Sequence, residues 1–268
     1  MVAAMLTADH RQPAIHYRVT GPTDAPTLVM LRGLGRSLRH WEGVLEGLTD
    51  HFRLVLLDNR GIGKSGRVAK PYGAGAMADD VAHVLDHAGI ERVNLFGMSL
   101  GGMIAQQFAL RHPTRLERLV LGCTTPGGTA PRIRIAALLP YLRARVAGLE
   151  AAIGCEAKFL LSESFRREHP EVIDSWIAIA REQPVPTATL VQHVLAARFH
   201  DTNGRLGQIR CETLVVTSDA DLLIPPECSR ILAREIPNSE LAWIRGAGHD
   251  FATERPEETC HLLMDFLL

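Results

Sequence analysis

Val93-Asn94-Leu95-Phe96-Gly97-Met98-Ser99-Leu100-Gly101 is the stretch whose reading decides the fold. Its first four residues form a short apolar run of strand length. The stretch from Leu100 to Arg111 spaces its apolar residues for one face of a helix. Ser99 therefore sits on a sharp turn between a strand and a helix, and the flanking glycines leave room for the strained backbone that such a turn imposes. The turn lifts the hydroxyl clear of the sheet and aims the Leu100 amide at whatever reacts with it. Gly-x-Ser-x-Gly alone is a weak pattern; the strand before it and the helix after it make it informative.

Outward from this turn, the same alternation repeats. Apolar runs at 27–31, 54–57, 93–96, 118–121, 213–217 and 241–244 are rich in Val, Leu and Ile, as strands buried on both faces are. Amphipathic stretches such as 77–87 and 100–111 lie between them. This order predicts an α/β protein with a mostly parallel central sheet and helices on both faces. Two earlier segments, 5–11 and 15–19, suit an antiparallel start. The alternation stops between about 125 and 207, where the pattern is helical (133–146, 149–161, 171–181, 189–200) and broken by prolines. The division predicted is a core of 1–124 plus 208–268 and a helical insertion of 125–207.

Composition narrows the function. With 46% hydrophobic and 22% charged residues and a net charge of −1, the 268-residue chain is an ordinary globular protein without the positive field that nucleic acid requires. The local arginines Arg132, Arg134, Arg143 and Arg145 read as a solvated helix face. No run of 18 apolar residues predicts a membrane span, and no secretory leader is visible, so a cytoplasmic location is expected. The five cysteines are scattered and odd in number, which suits free thiols in a reducing compartment; Cys123, just after an apolar run, reads as core packing. Gly63-Lys64-Ser65 lacks the earlier glycine of a phosphate loop, because position 58 is Asp58. Gly33-x-Gly35 lacks the third glycine of a dinucleotide loop, because position 38 is Leu38. Neither a cofactor nor a metal is expected. Nothing in the sequence sets the oligomeric state.

A serine hydroxyl becomes a strong nucleophile only beside a base held by an acid. Of the histidines downstream of Ser99, His112 reads as a helix end, His169, His193 and His200 fall in the insertion, and His261 lies on the last helix. His249 stands apart, in the glycine-rich loop Arg245-Gly246-Ala247-Gly248-His249-Asp250 after the final strand. The acid should end the preceding strand, where Asp219 and Asp221 both qualify.

Read together, these motifs resemble the α/β-hydrolase superfamily, in its branch of small bacterial serine esterases and lactonases. Arg32-Gly33-Leu34-Gly35 stands where that family has His-Gly-x-Gly. Asp58-Asn59-Arg60-Gly61-Ile62-Gly63-Lys64-Ser65 resembles its Asp-x-Arg-Gly-x-Gly-x-Ser loop. Glu254-Arg255-Pro256 follows His249 in the usual place. The resemblance implies Ser99 as nucleophile, His249 as base and Asp221, four residues before Pro225, as acid. It also implies the backbone amides of Leu34 and Leu100 as oxyanion donors, and 125–207 as a cap. The activity implied is hydrolysis of a small-molecule carboxylic ester through an acyl-enzyme. The apolar cap suggests a substrate with an apolar group. Lactone opening, C–C cleavage, perhydrolysis and ligand sensing use the same framework.

One departure concerns the loop before Leu34. Arg32 replaces the family's histidine with a longer, permanently charged side chain that only donates. Arg32 is read as a supporting residue that, with Gly33, anchors the oxyanion loop. The alternative is that it offers charge to an anionic substrate.

Overall fold

The computed structural model describes residues 4–9, 13–131 and 138–268. Its strands are β1 (Ala4–Ala8), β2 (Ile15–Thr20), β3 (Thr27–Leu31), β4 (Arg53–Leu57), β5 (Val93–Met98), β6 (Leu116–Gly122), β7 (Glu212–Ser218) and β8 (Ser239–Ile244). They form one sheet in the order β1-β2-β4-β3-β5-β6-β7-β8. The β1–β2 and β2–β4 pairs are antiparallel and all later pairs are parallel. Every predicted strand is present. β8 differs in one respect: as an edge strand it is only half buried, with just Ile244 fully so.

Successive side chains on a strand face opposite sides, and the apolar runs supply both sides at once. From β3, Val29 and Leu31 join the cluster formed with α2 (Ala74–His87), α3 (Leu100–Arg111) and α9 (Pro226–Glu235), whereas Leu28 and Met30 join the opposite cluster. That second layer is built on Trp41, on Leu45 and Leu48 of α1 (Glu42–Leu48), and on Leu263 and Leu267 of α11 (Pro256–Leu267). Continuous rather than alternating apolar sequence is thus the consequence of a sheet covered twice.

Between β6 and β7 come α4 (Leu138–Ala147), α5 (Leu149–Leu160), α6 (Glu163–Glu168), α7 (Pro170–Glu182) and α8 (Thr187–Arg198). The expected helix 133–146 overlaps α4, while Arg132, Arg134 and the rest of 132–137 lie outside the described residues, as do residues 10 and 11 of the first expected segment. Helix α6 was not expected; Ser162 starts it by accepting a hydrogen bond from the Phe165 amide at 3.3 Å. The insertion has its own small apolar cluster of Ile153, Ala157, Leu161, Phe165 and Trp176.

Candidate active site

Ser99 occupies the end of β5 with φ 56° and ψ −120°, a conformation rare outside glycine. The surroundings hold it there. Its amide donates to the Gly122 carbonyl at 2.9 Å, and its own carbonyl accepts from the Thr124 hydroxyl at 2.7 Å and the Gly102 amide at 3.0 Å. A Cβ at Gly97 would run into the Gly101 carbonyl, and one at Gly101 into the Leu31 carbonyl. The glycines are therefore needed because α3 packs backbone against backbone on the strands below. Gly33 also lies against Ser99: a Cβ there would stand 3.4 Å from its Oγ. The Asn59 side chain donates to the Arg32 carbonyl at 3.1 Å and steadies this loop before Leu34.

His249 and Asp221 meet across 2.8 Å, Nδ1 to Oδ2, both buried. The other Asp221 oxygen accepts the Leu223 and Ile224 amides at 2.7 and 3.0 Å. Asp219, the alternative left open by the sequence, turns outward and receives the Gly246 amide at 2.7 Å. Burial disfavours the charged form of His249, but the Asp221 carboxylate outweighs it and raises the pKa above the usual 6.5. His112, His169, His193 and His200 have partners elsewhere, and His261 is exposed. His112 pairs with Asp79, and buried His193 and His200 are pushed down to about 4 by desolvation.

Arg32 is 3% exposed and reaches across the fold. It pairs with Asp250 at 2.6 Å, donates to the His40 carbonyl and lies 3.9 Å over the Trp41 ring. Burial works against both charges, yet the pairing with Arg32 holds the Asp250 carboxyl below its ordinary range. Because Asp250 adjoins His249, this pair joins the loop of Gly33 and Leu34 to the loop of the histidine. Removing one partner of such a pair leaves a buried charge without compensation, which costs about 3–5 kcal/mol. Arg32→Ala is expected to lower stability by that order in urea unfolding. Arg32→Ala with Asp250→Asn should recover part of it; a single variant as stable as the parent would show the pair to be inert.

Three further residues have surroundings here that the sequence reading did not give them. Cys123, expected in the core, is buried, but its φ of 41° turns it toward the site, and its Sγ lies within 4.8 Å of the ligand atoms of Asp221 and His249. Among the described residues these three form the only cluster of metal-type donors. Asp221 and His249 already bond each other, and burial followed by the Asp221 charge pushes the Cys123 thiol well up, so the set suits a protonated thiol beside a hydrogen-bonded His–Asp pair. Buried Glu254 accepts the Gly248 amide at 2.8 Å with one oxygen and the Ser162 hydroxyl at 2.5 Å with the other. It thereby fastens the histidine loop to the insertion. Arg36, buried, lines a cavity between that insertion and the loop after β3. No signal in the sequence marked Cys123 or Arg36; Glu254 was visible only as part of a motif.

The match to known proteins agrees with this architecture. Residues 26–256 match the α/β-hydrolase-fold family, and the chain belongs to that family. A relative from Agrobacterium fabrum that bears the name carbamate hydrolase RutD is 33% identical over 95% of this chain and 98% of its own. Among solved structures, an enol-lactonase from Burkholderia xenovorans aligns with TM-score 0.87 and 26% identity, covering 98% of this chain and 99% of its own. A thermophilic esterase from Thermogutta terrifontis aligns with TM-score 0.80 and 28% identity, covering 100% of this chain and 98% of its own. Among the described residues no helix is long and apolar enough to cross a membrane.

Proposed function

We propose that this hydrolase cleaves carboxylic esters through an acyl-enzyme on Ser99, with His249 as base and Asp221 as its orienting acid. The observations that carry the reading are the buried 2.8 Å His249–Asp221 pair and a serine held in a strained strand-to-helix turn, whose amide bonds Gly122, the neighbour of the Cys123 that lies within 4.8 Å of the pair. Ser99 Oγ bonds to the ester carbonyl carbon as His249 takes its proton. The imidazolium then gives that proton to the departing alkoxide. Water, deprotonated by His249, next releases the acid and restores Ser99. Backbone amides of Leu34 and Leu100 hold the negative oxygen, an effect of about 3–4 kcal/mol per donor. Residues 125–207 act as the cap that shapes the pocket. Carbamates are a second substrate class, supported by the shared name of the relatives at 30–33% identity.

The test is a panel of chromogenic esters, lactones and carbamates, together with organophosphate labelling read by mass spectrometry. Ester turnover with the adduct on Ser99 is expected; an adduct on Ser218, or turnover of carbamates alone, overturns the respective part of the reading. Ser218 is predicted to stay unlabelled, because its hydroxyl donates to the Gly248 carbonyl at 2.6 Å.

The base must be neutral to work. Since Asp221 raises the His249 pKa above 6.5 against the opposing effect of burial, imidazolium persists to higher pH than for a free histidine. Turnover should therefore fall as pH drops, with its acid midpoint above about 6.5. A profile of kcat/KM flat down to pH ~5 would contradict a histidine base.

A further inference from the structure

The cavity beside the oxyanion loop has a volume of about 90 Å³. A bound water needs about 10–15 Å³ in a comparable measure, so there is room for a small group of several atoms. Much of its wall is apolar, with Ile153, Ile179 and Leu190 among the lining residues. Three charged side chains also line it: Arg36, Arg145 and Glu156. Positive charge is thus in excess at the wall, and the lining His40 adds none. Burial, then the nearby Arg36 and Arg32 charges, push its pKa well below 6.5.

Arg36 is the unusual member. It is 5% exposed, its guanidinium lies 3.6 Å over the Trp176 ring, and its Nη2 stands 3.3 Å from Glu156 Oε1. That ion pair is not a hydrogen bond: among the described residues neither Nε nor Nη2 of Arg36 finds an acceptor. Buried donors without acceptors are uncommon, because each forfeits its hydration without replacement. Nε and Nη2, the second already facing Glu156 in the ion pair, form one edge of the planar fork, the edge that matches the two oxygens of a carboxylate. With Trp176 covering one face of the guanidinium, edge-on approach by a planar anion is favoured.

The loop that carries Arg36 also packs against the reacting serine. The Arg36 amide donates to the Gly33 carbonyl at 3.3 Å, closing a turn. Gly33 in turn abuts Ser99. Glu156, about one-fifth exposed on α5, is the carboxylate that a substrate anion would have to replace.

We propose that Arg36 forms a carboxylate subsite in this cavity, so that the preferred substrate is an ester bearing a free carboxylate a short chain away from the scissile carbonyl. This rests on the serine-hydrolase reading above and gives it a substrate class. The sequence raised the question of substrate charge at Arg32; the structure commits Arg32 to Asp250 and moves the question four residues on.

The test compares a glutaric acid half-ester with its methyl-capped, neutral counterpart. The ratio of their kcat/KM values isolates the effect of the carboxylate. In the unmodified enzyme the half-ester should win by about tenfold or more, the value of one charge-assisted hydrogen-bonded pair. Arg36→Gln should collapse that ratio by a similar factor. Arg36→Lys, which keeps the charge without the fork, should give an intermediate ratio. Glu156→Gln removes the competing carboxylate and should raise the ratio. This last result separates a substrate subsite from a merely structural cation, for which Glu156→Gln would only destabilise the fold. A ratio at or below one in the unmodified enzyme, or one unmoved by Arg36→Gln, overturns the proposal. Calorimetry of half-ester binding to Ser99→Ala protein, with and without Arg36→Gln, reads the subsite without turnover. If neither ester turns over yet the half-ester binds through Arg36, the subsite stands and the esterase reading fails; absent binding there overturns the subsite.

Discussion

Ser99→Ala should reduce ester turnover by about a million-fold while leaving the protein folded, since removing a triad nucleophile elsewhere has an effect of that order. The loss corresponds to roughly 8 kcal/mol of transition-state stabilisation. What remains should come from the amides of Leu34 and Leu100 acting on water attack, in the proposed mechanism. Stability should barely move. The hydrogen bonds that hold this turn come from the backbone of residue 99, through Gly122, Gly102 and Thr124, and alanine keeps them all. It also keeps the Cβ at φ 56°, so whatever strain the turn stores is unchanged. Ser99→Gly removes that Cβ and should be more stable than Ser99→Ala, relieving part of the roughly 1–3 kcal/mol such a conformation costs. Turnover by both variants within tenfold of the parent would move the nucleophile elsewhere, whereas loss of folding in both would show Ser99 to be structural.

The elements that position this serine were legible because their signal is local. A strand covered on both faces needs an unbroken apolar run, and Leu95-Phe96 or Leu119-Val120 can be read without knowing what covers them. The elbow was legible for the same reason, since two glycines and a serine carry their own backbone requirement. The supports of the site were hidden because they are contacts at long range. Arg32 and Asp250 are 218 positions apart and Ser162 and Glu254 are 92 apart, and no periodicity connects such pairs. Arg36 reads as one more loop residue until Trp176 and Glu156 are brought against it by the insertion. Cys123 packs in the core as its apolar run implies, with one feature the run does not carry. An apolar run predicts burial, which Cys123 has, but not the positive φ that turns its thiol toward Asp221. Arg145, read as part of a solvated face, instead lines the cavity and reaches the Val185 carbonyl and the Thr187 hydroxyl, each at 3.4 Å.

Asp221→Asn should lower kcat by about ten-thousand-fold, the size of the effect when the acid of a serine triad loses its charge. The geometry explains why an isosteric change costs so much. One Asp221 oxygen is claimed by two backbone donors, the amides of Leu223 and Ile224. An asparagine must therefore turn its carbonyl oxygen toward them and its NH2 toward His249. Facing that donor, Nδ1 has to accept, which places the imidazole proton on Nε2. The nitrogen that should take the Ser99 proton is then already protonated. Two effects add to the loss: the imidazolium formed during attack has no carboxylate beside it, and the influence that raises the His249 pKa is gone. The acid midpoint of whatever activity remains should accordingly move to lower pH. Asp219→Asn provides the contrast. Asp219 receives the Gly246 amide and faces solvent; asparagine can still accept that bond, so turnover should stay within about threefold, as for surface changes of under about 0.5 kcal/mol. Steady-state kinetics and unfolding curves on both variants decide the matter. A ten-thousand-fold loss at Asp219 with Asp221→Asn near normal would give the orienting role to Asp219 and leave Asp221 as a cap on the turn at Leu223.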